Sequence, residues 1–145
     1  MDLVTRASLK PRVRAAVAGL TDEQASQPSV DGWSVKDHLT HLTFWHEMRF
    51  FEINRVARGG QPSFPLSTEA QVTPLNEAVA AHRRGLSLAQ AVADLEFAWS
   101  MVEQAAAACP EDRLGHGFSG EIGPVGTAHD LAHADMIIAW KKQGL

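Results

Sequence analysis

The sequence predicts an all-α fold, four helices packed as a bundle around one core, on three observations. Apolar residues recur at three- and four-residue spacing in four separate segments. Capping-box patterns, a Ser or Thr followed three residues later by a reciprocating polar side chain, stand at Thr21, Ser34 and Thr127. No stretch alternates apolar and polar residues with the period of two that a half-buried strand requires.

The first helix carries Leu9, Val13, Ala16, Val17 and Leu20 on one stripe. With Ser8 as its cap, Pro11 falls in the first turn, where a missing N–H costs nothing. Thr21-Asp22-Glu23-Gln24 opens one short turn, and Pro28, Asp31 and Gly32 read as loop. Ser34 and Asp37 box the start of a second helix, which presents Val35, Leu39, Leu42, Phe50 and Ile53 on one face and runs to Arg58 before Gly59-Gly60 ends it. From Gly59 to Leu86 the chain carries Pro62, Pro65, Pro74 and Gly85, which predicts a long ordered connection with one short helical patch around Asn76 to Arg83. Ser87 caps a third helix, with Leu88, Val92, Leu95, Trp99, Val102 and Ala106 as its seam, ending before Pro110. The glycine-rich Gly115 to Gly126 reads as loop, and Thr127-Ala128-His129-Asp130 opens a fourth helix through roughly Lys142.

Composition bounds the function. A chain of 145 residues with 45% hydrophobic and 21% charged residues is expected to form a single domain over 1–145. Thirteen Lys and Arg against 17 Asp and Glu give a net charge of -4, which argues against binding nucleic acid. The single cysteine, Cys109, cannot form an internal disulfide. With an acidic start, no signal-peptide core and no apolar run long enough to span a membrane, a cytoplasmic protein without membrane partners is expected.

Seven histidines carry the chemistry. On the fourth helix His129, His133, Met136 and Trp140 fall within a sector of roughly 60°. An i, i+4 pair can offer two imidazole nitrogens to one cation, or it can be two interior histidines bonded to each other or to carbonyls. A third ligand would come from the second helix, which offers His38, His41 and His46. His38 also fits a hydrophobic staple with Trp33, His46 fits a satisfied core histidine, and angles alone do not select His41.

Trp33-Ser34-Val35-Lys36-Asp37-His38-Leu39-Thr40-His41, followed much later by His129-Asp130-Leu131-Ala132-His133, resembles the DinB-like superfamily, which includes bacillithiol and mycothiol S-transferases and the metal-binding domain of mycothiol-dependent maleylpyruvate isomerase. The resemblance covers essentially the whole chain. It implies a bundle of up-down-down-up topology with the Gly59 to Leu86 connection as crossover between parallel second and third helices. It also implies a divalent metal held by His41, His129 and His133, with His46 as the fallback ligand.

Three neutral imidazoles leave such an ion electrophilic and with an open position. Zinc is expected, with nickel as the alternative. The expected activity is thiol S-transfer, in which a small thiol activated at the centre attacks an electrophilic small-molecule substrate. A hydrolase at the same site and a non-enzymatic ligand-binding or dimerising bundle are the alternatives.

The remaining candidates read structurally. Cys109 is expected to be an inert thiol. Arg49, Arg55, Arg58, Arg83 and Arg84 read as solvated helix faces, with an anionic-substrate entrance as the alternative. Trp45, Trp99 and Trp140 read as core, Asp130 and Asp135 as cap or orienting partners, and His82 and His116 as surface. Phe44, Phe51 and Phe64 are spare apolar residues for a homodimer.

Overall fold

In the computed structural model, which describes residues 3–28, 30–61, 68–114 and 128–144, helices supply the regular structure apart from one isolated bridge. Among the described residues these are α1 (Leu3–Val17), α2 (Asp22–Ser26), α3 (Val35–Ala57), α4 (Glu69–Arg83), α5 (Leu88–Ala108), α6 (Glu111–Leu114) and α7 (Ala128–Lys142). The class is all-α, as the periodicity predicts. The Thr127 box and the Gly115 to Gly126 loop lie outside the described residues.

The capping boxes explain where the described helices begin. Thr21 Oγ1 accepts from Gln24 N at 3.1 Å while Gln24 Oε1 accepts from Thr21 N at 2.9 Å. Ser34 and Asp37 make the same exchange, both bonds at 3.0 Å, and Ser87 makes it with Gln90. Each box satisfies two amide groups that the first turn of a helix otherwise leaves without partners.

Helices α1 and α4 differ from expectation, and α6 is a short helix that the sequence reading leaves unassigned. Helix α1 begins at Leu3, so Ser8 lies inside it rather than capping it, and Pro11 is an interior residue that removes one helical hydrogen bond. Helix α4 is much longer than the patch expected around Asn76. It begins at Glu69, with Gln71 Oε1 accepting from Thr68 N at 3.3 Å, and continues through Pro74. A proline deletes one backbone bond, but a helix already started upstream and packed on α3 tolerates that loss.

Helix α3 is the axis of the molecule. It packs against α2, α4, α5, α6 and α7, and it buries polar residues as well as Val35, Leu39, Leu42 and Ile53. Lys36 Nζ donates to Leu86 O at 2.8 Å near the starts of α3 and α5. Trp99 meets His46 midway, and Ile53 shares a cluster with Val102, Ala105 and Cys109 near the far ends. Helices α3 and α5 therefore run side by side in the same direction. Arg12 pairs with Asp135, and Lys141 Nζ donates to Ala18 O at 2.9 Å, so α1 and α7 also run alongside in a common direction. The larger core cluster joins Val13 and Ala16 of α1 to Leu39 and Leu42 of α3, Leu95 and Trp99 of α5, and Ala134 and Ile137 of α7.

A tight turn leads into α3. Val30 and Trp33 exchange both backbone hydrogen bonds, at 2.8 and 3.1 Å, around Asp31 at φ 55° and Gly32 at φ 82°. Positive φ at both central residues is the mark of a type I′ turn, in which an aspartate followed by glycine is favoured. No helix among the described residues is long and apolar enough to cross a membrane.

Candidate metal centre

Where α7 crosses the first half of α3, His41, His129 and His133 come together. His41 Nε2 lies 3.0 Å from His129 Nε2, and His133 Nε2 lies 3.1 Å from the same atom. An imidazole nitrogen carries either one in-plane lone pair or one N–H, so His129 Nε2 cannot make two good hydrogen bonds to two other ring nitrogens. Two nitrogens each about 2.1 Å from one ion stand about 3.0 Å apart at a right angle and about 3.4 Å apart at the tetrahedral angle, so these two separations are compatible with a shared cation. The donor set, three imidazoles, suits a divalent transition metal.

Burial favours the neutral form of His41 and His133, the form that a cation requires. Burial, then the proximity of His129 and His38, brings His41 down to about 3, with the neighbouring Asn76 and Asp130 side chains acting the other way. His133 is brought down to about 2 by burial and by His129, His41 and His38, against the attraction of Asp130. His38 is lowered as well, by burial, against its hydrogen bond to Val30 and the charges of Asp37 and Asp31.

His38 joins the centre from the side. Its Nε2 lies 2.9 Å from Val30 O and its Nδ1 lies 2.7 Å from His133 Nδ1. The staple read from the sequence is present too, with the Trp33 and His38 rings 5.4 Å apart edge to face.

His46 is occupied elsewhere. Its Nδ1 accepts from Arg49 Nη1 at 2.8 Å, which places its proton on Nε2, and that proton goes to Asp130 Oδ2 at 2.6 Å. Trp99 Nε1 donates to the same carboxylate oxygen at 3.0 Å. With both ring nitrogens engaged, His46 offers nothing to a cation held by the other three. Burial alone would push Asp130 up, but the bonds from His46 and Trp99 and the charge of Arg49 outweigh it and hold its carboxyl below the usual range. Asp130 thus serves the core rather than a helix cap, and Asp135 pairs with Arg12 at the surface.

Arg49 corrects the sequence reading. It is 0% exposed, enclosed beside His46 and Asp130, and burial pulls its guanidinium down while Asp130 opposes the shift. The other arginines are at least partly solvated; Arg83 pairs with Glu47 at 2.7 Å, and Arg84 approaches Asp37 at 3.4 Å. Trp45 and Trp99 are buried, Trp140 packs against the core, and Cys109 is buried at the end of α5. His82 is exposed, whereas His116 and Phe64 lie outside the described residues. Among the described residues Phe51 and Phe97 are the large exposed apolar side chains, Phe44 is half-buried, and the sequence reading does not name Phe97.

A cavity of about 300 Å³ opens beside the centre, lined by Asp31, Trp33, His38, Thr73, Asn76, Glu77, His133 and Met136. Trp33 Nε1 donates to Glu77 Oε1 at 2.9 Å, and Asn76 Oδ1 accepts from Trp45 Nε1 at 3.0 Å. Of the α4 residues of this wall, Asn76 and Glu77 lie in the helical patch read from the sequence and Thr73 precedes it, but nothing local ties them to the histidines.

Residues 7–136 match the mycothiol maleylpyruvate isomerase N-terminal domain family. The chain belongs to that family. It is a DinB-like family, as the Trp-Ser-Val-Lys opening and the late histidine pair suggest. A crystal structure of an uncharacterised protein from Escherichia coli UTI89 is similar to this family member with a TM-score of 0.79 at 17% identity, covering 97% of this chain and 91% of that one. At that identity the likeness shows the fold. No curated protein matches the chain.

Proposed function

We propose that this DinB-like chain binds one divalent transition metal through Nε2 of His41, His129 and His133 and uses it in thiol S-transfer. The observation that carries the reading is the convergence of three Nε2 atoms beside a cavity of about 300 Å³. Bound there, the ion would supply the Lewis acidity that lowers the pKa of a small thiol. The chain's own residues would hold the reactants. His41, His129 and His133 orient their lone pairs to one point, while Trp33 and Met136 give the cavity apolar walls. Asn76, Glu77 and Thr73 offer polar contacts to the second reactant. In the net reaction the thiol loses its proton to solvent, its sulfur forms a bond to an electrophilic carbon, and the bond from that carbon to its leaving group breaks, the electron pair departing on that group to take up a proton from solvent. Among the described residues we assign no dedicated base; Oδ2 of Asp130 is taken by His46 and Trp99.

Imidazole donors suit zinc, nickel, copper and iron alike; zinc is the physiological metal we propose, with nickel as an alternative when purification exposes the protein to it. The fit to a small cytoplasmic thiol rests on the mycothiol-related family and on the size of the cavity. Elemental analysis of protein purified without a metal-affinity tag is expected to give close to one equivalent of metal. Less than about a tenth of an equivalent, with none taken up on titration, would sink the metal reading and favour a ligand-binding bundle. Turnover of an electrophile only when thiol is present would support transfer, and turnover without thiol would assign a hydrolase. A homodimer is part of the same proposal, with Phe51 and Phe97 as the apolar surface it would cover. Sedimentation at micromolar concentration showing only a 15.7 kDa species would count against it.

A further inference from the structure

We propose that His38 is a positioning residue that fixes the tautomer of His133 and so aims the Nε2 lone pair of His133 at the centre. The inference rests on the three-histidine reading above, but its evidence is separate. A carbonyl oxygen only accepts, so the 2.9 Å contact between His38 Nε2 and Val30 O requires the proton of His38 to sit on Nε2. The neutral ring has one such proton, which leaves His38 Nδ1 as an acceptor. His133 Nδ1, 2.7 Å away, must then donate to it. That puts the proton of His133 on Nδ1 and frees Nε2, the atom that faces His129 at 3.1 Å. The order of the chain is forced at one end by backbone chemistry: Val30 carbonyl, His38, His133.

A ligand histidine whose second nitrogen donates to a fixed acceptor is held in one ring orientation and one tautomer, and loss of such a partner typically lowers metal affinity 10- to 100-fold. Here the fixed acceptor is another imidazole rather than a carboxylate, so the support adds no negative charge. The Trp33 ring, edge to face against both His38 and His41, restrains the same group from the turn preceding α3.

Nitrogen-15 correlation spectra of the histidine rings in metal-free protein, combined with competition titration of zinc, test the assignment. Wild-type His133 is expected to carry its proton on Nδ1. His38→Phe keeps a ring beside Trp33 but removes the acceptor; it should leave His133 as a mixture of tautomers and weaken zinc about 10- to 100-fold. His38→Asn, whose Oδ1 falls near the position of Nδ1, should recover most of the affinity. A wild-type His133 protonated on Nε2 overturns the proposal whatever the variants do. So would less than a threefold loss in a folded His38→Phe, or equal losses in the Phe and Asn variants. If wild type takes up no zinc but shows the Nδ1 proton, the relay stands and the metal reading fails.

Discussion

His41 and His46 sit on one buried helix, yet the neighbours of each nitrogen separate them. His46 has Arg49 on one side and Asp130 on the other, and His41 has His129. His46→Ala is therefore expected to keep its metal but to lose about 3 kcal/mol of stability, because a buried carboxylate and a buried guanidinium both lose a partner. His41→Ala, His129→Ala and His133→Ala should each stay helical and lose most metal affinity. Metal content and urea midpoints, measured together, separate the two outcomes. The histidine pair of α7 was legible from i, i+4 spacing because that spacing is local. Arg49 was not, since the groups that make its burial tolerable include Asp130 on α7, which no local pattern brings to it. His38 was half legible: the staple with Trp33 is local, whereas its bond to His133 spans 95 residues.

The same neutral rings set a pH dependence. His41 and His133 stay unprotonated in the folded metal-free protein down to about 3 and about 2, whereas in the unfolded chain they take up protons near pH 6.5. The unfolded state binds more protons in that window, so stability is full above about pH 6.5 and falls as the pH drops toward the folded values. Each group contributes a slope of at most about 1.4 kcal/mol per pH unit. Urea midpoints of metal-free protein at pH 7.5, 6 and 5 should decline in that order, and His133→Phe should flatten the decline. An unchanged midpoint at pH 5 would contradict the assignment.

Among the elements, the starts of α2, α3 and α5 were readable because a capping box is written in four consecutive residues. The start of α1 and the extent of α4 were not, and for one reason: a proline reads as a boundary, while both helices accommodate one internally. The helical patch around Asn76 to Arg83 was read, but no local pattern ties Asn76 and Glu77 to the wall of the cavity. Ser34 is where local and functional structure meet, since it fixes the first turn of the helix that carries His38 and His41. Ser34→Ala should cost about 1 kcal/mol in urea denaturation. Metal stoichiometry should stay unchanged, because His41, the proposed ligand on this helix, sits beyond the first turn.

On the scale of the whole molecule the formal charge of -4 is mirrored at the cavity, where Asp31 and Glu77 both contribute carboxylates near its mouth. Among thiols of similar size, the cation cysteamine should bind the cobalt-substituted protein more tightly than neutral 2-mercaptoethanol, and the anion 3-mercaptopropionate most weakly. The carboxylates are solvated, so the spread should be only severalfold and should shrink in about 1 M salt. Absorption of the cobalt–thiolate pair reads it directly, and no ordering by charge would remove these carboxylates from any role in selection.

Helix α7 lies mainly along α1 and meets α3 only over a short crossing, the place where the histidines gather. His41 and His129 are 88 residues apart in the chain. An ion shared between them would act as a removable cross-link, added to the bonds of Asp130 to His46 and Trp99 and to the packing of Ala134 and Ile137, and its binding free energy would become folding free energy for α7 in particular. Amide hydrogen exchange should therefore respond unevenly to chelation: protons of α7 should exchange faster by orders of magnitude, while those of α3 and α5, clamped along their whole length, should scarcely change. The protein would then report metal supply through the local opening of one helix, and a protease that cuts opened helices would find depleted molecules first.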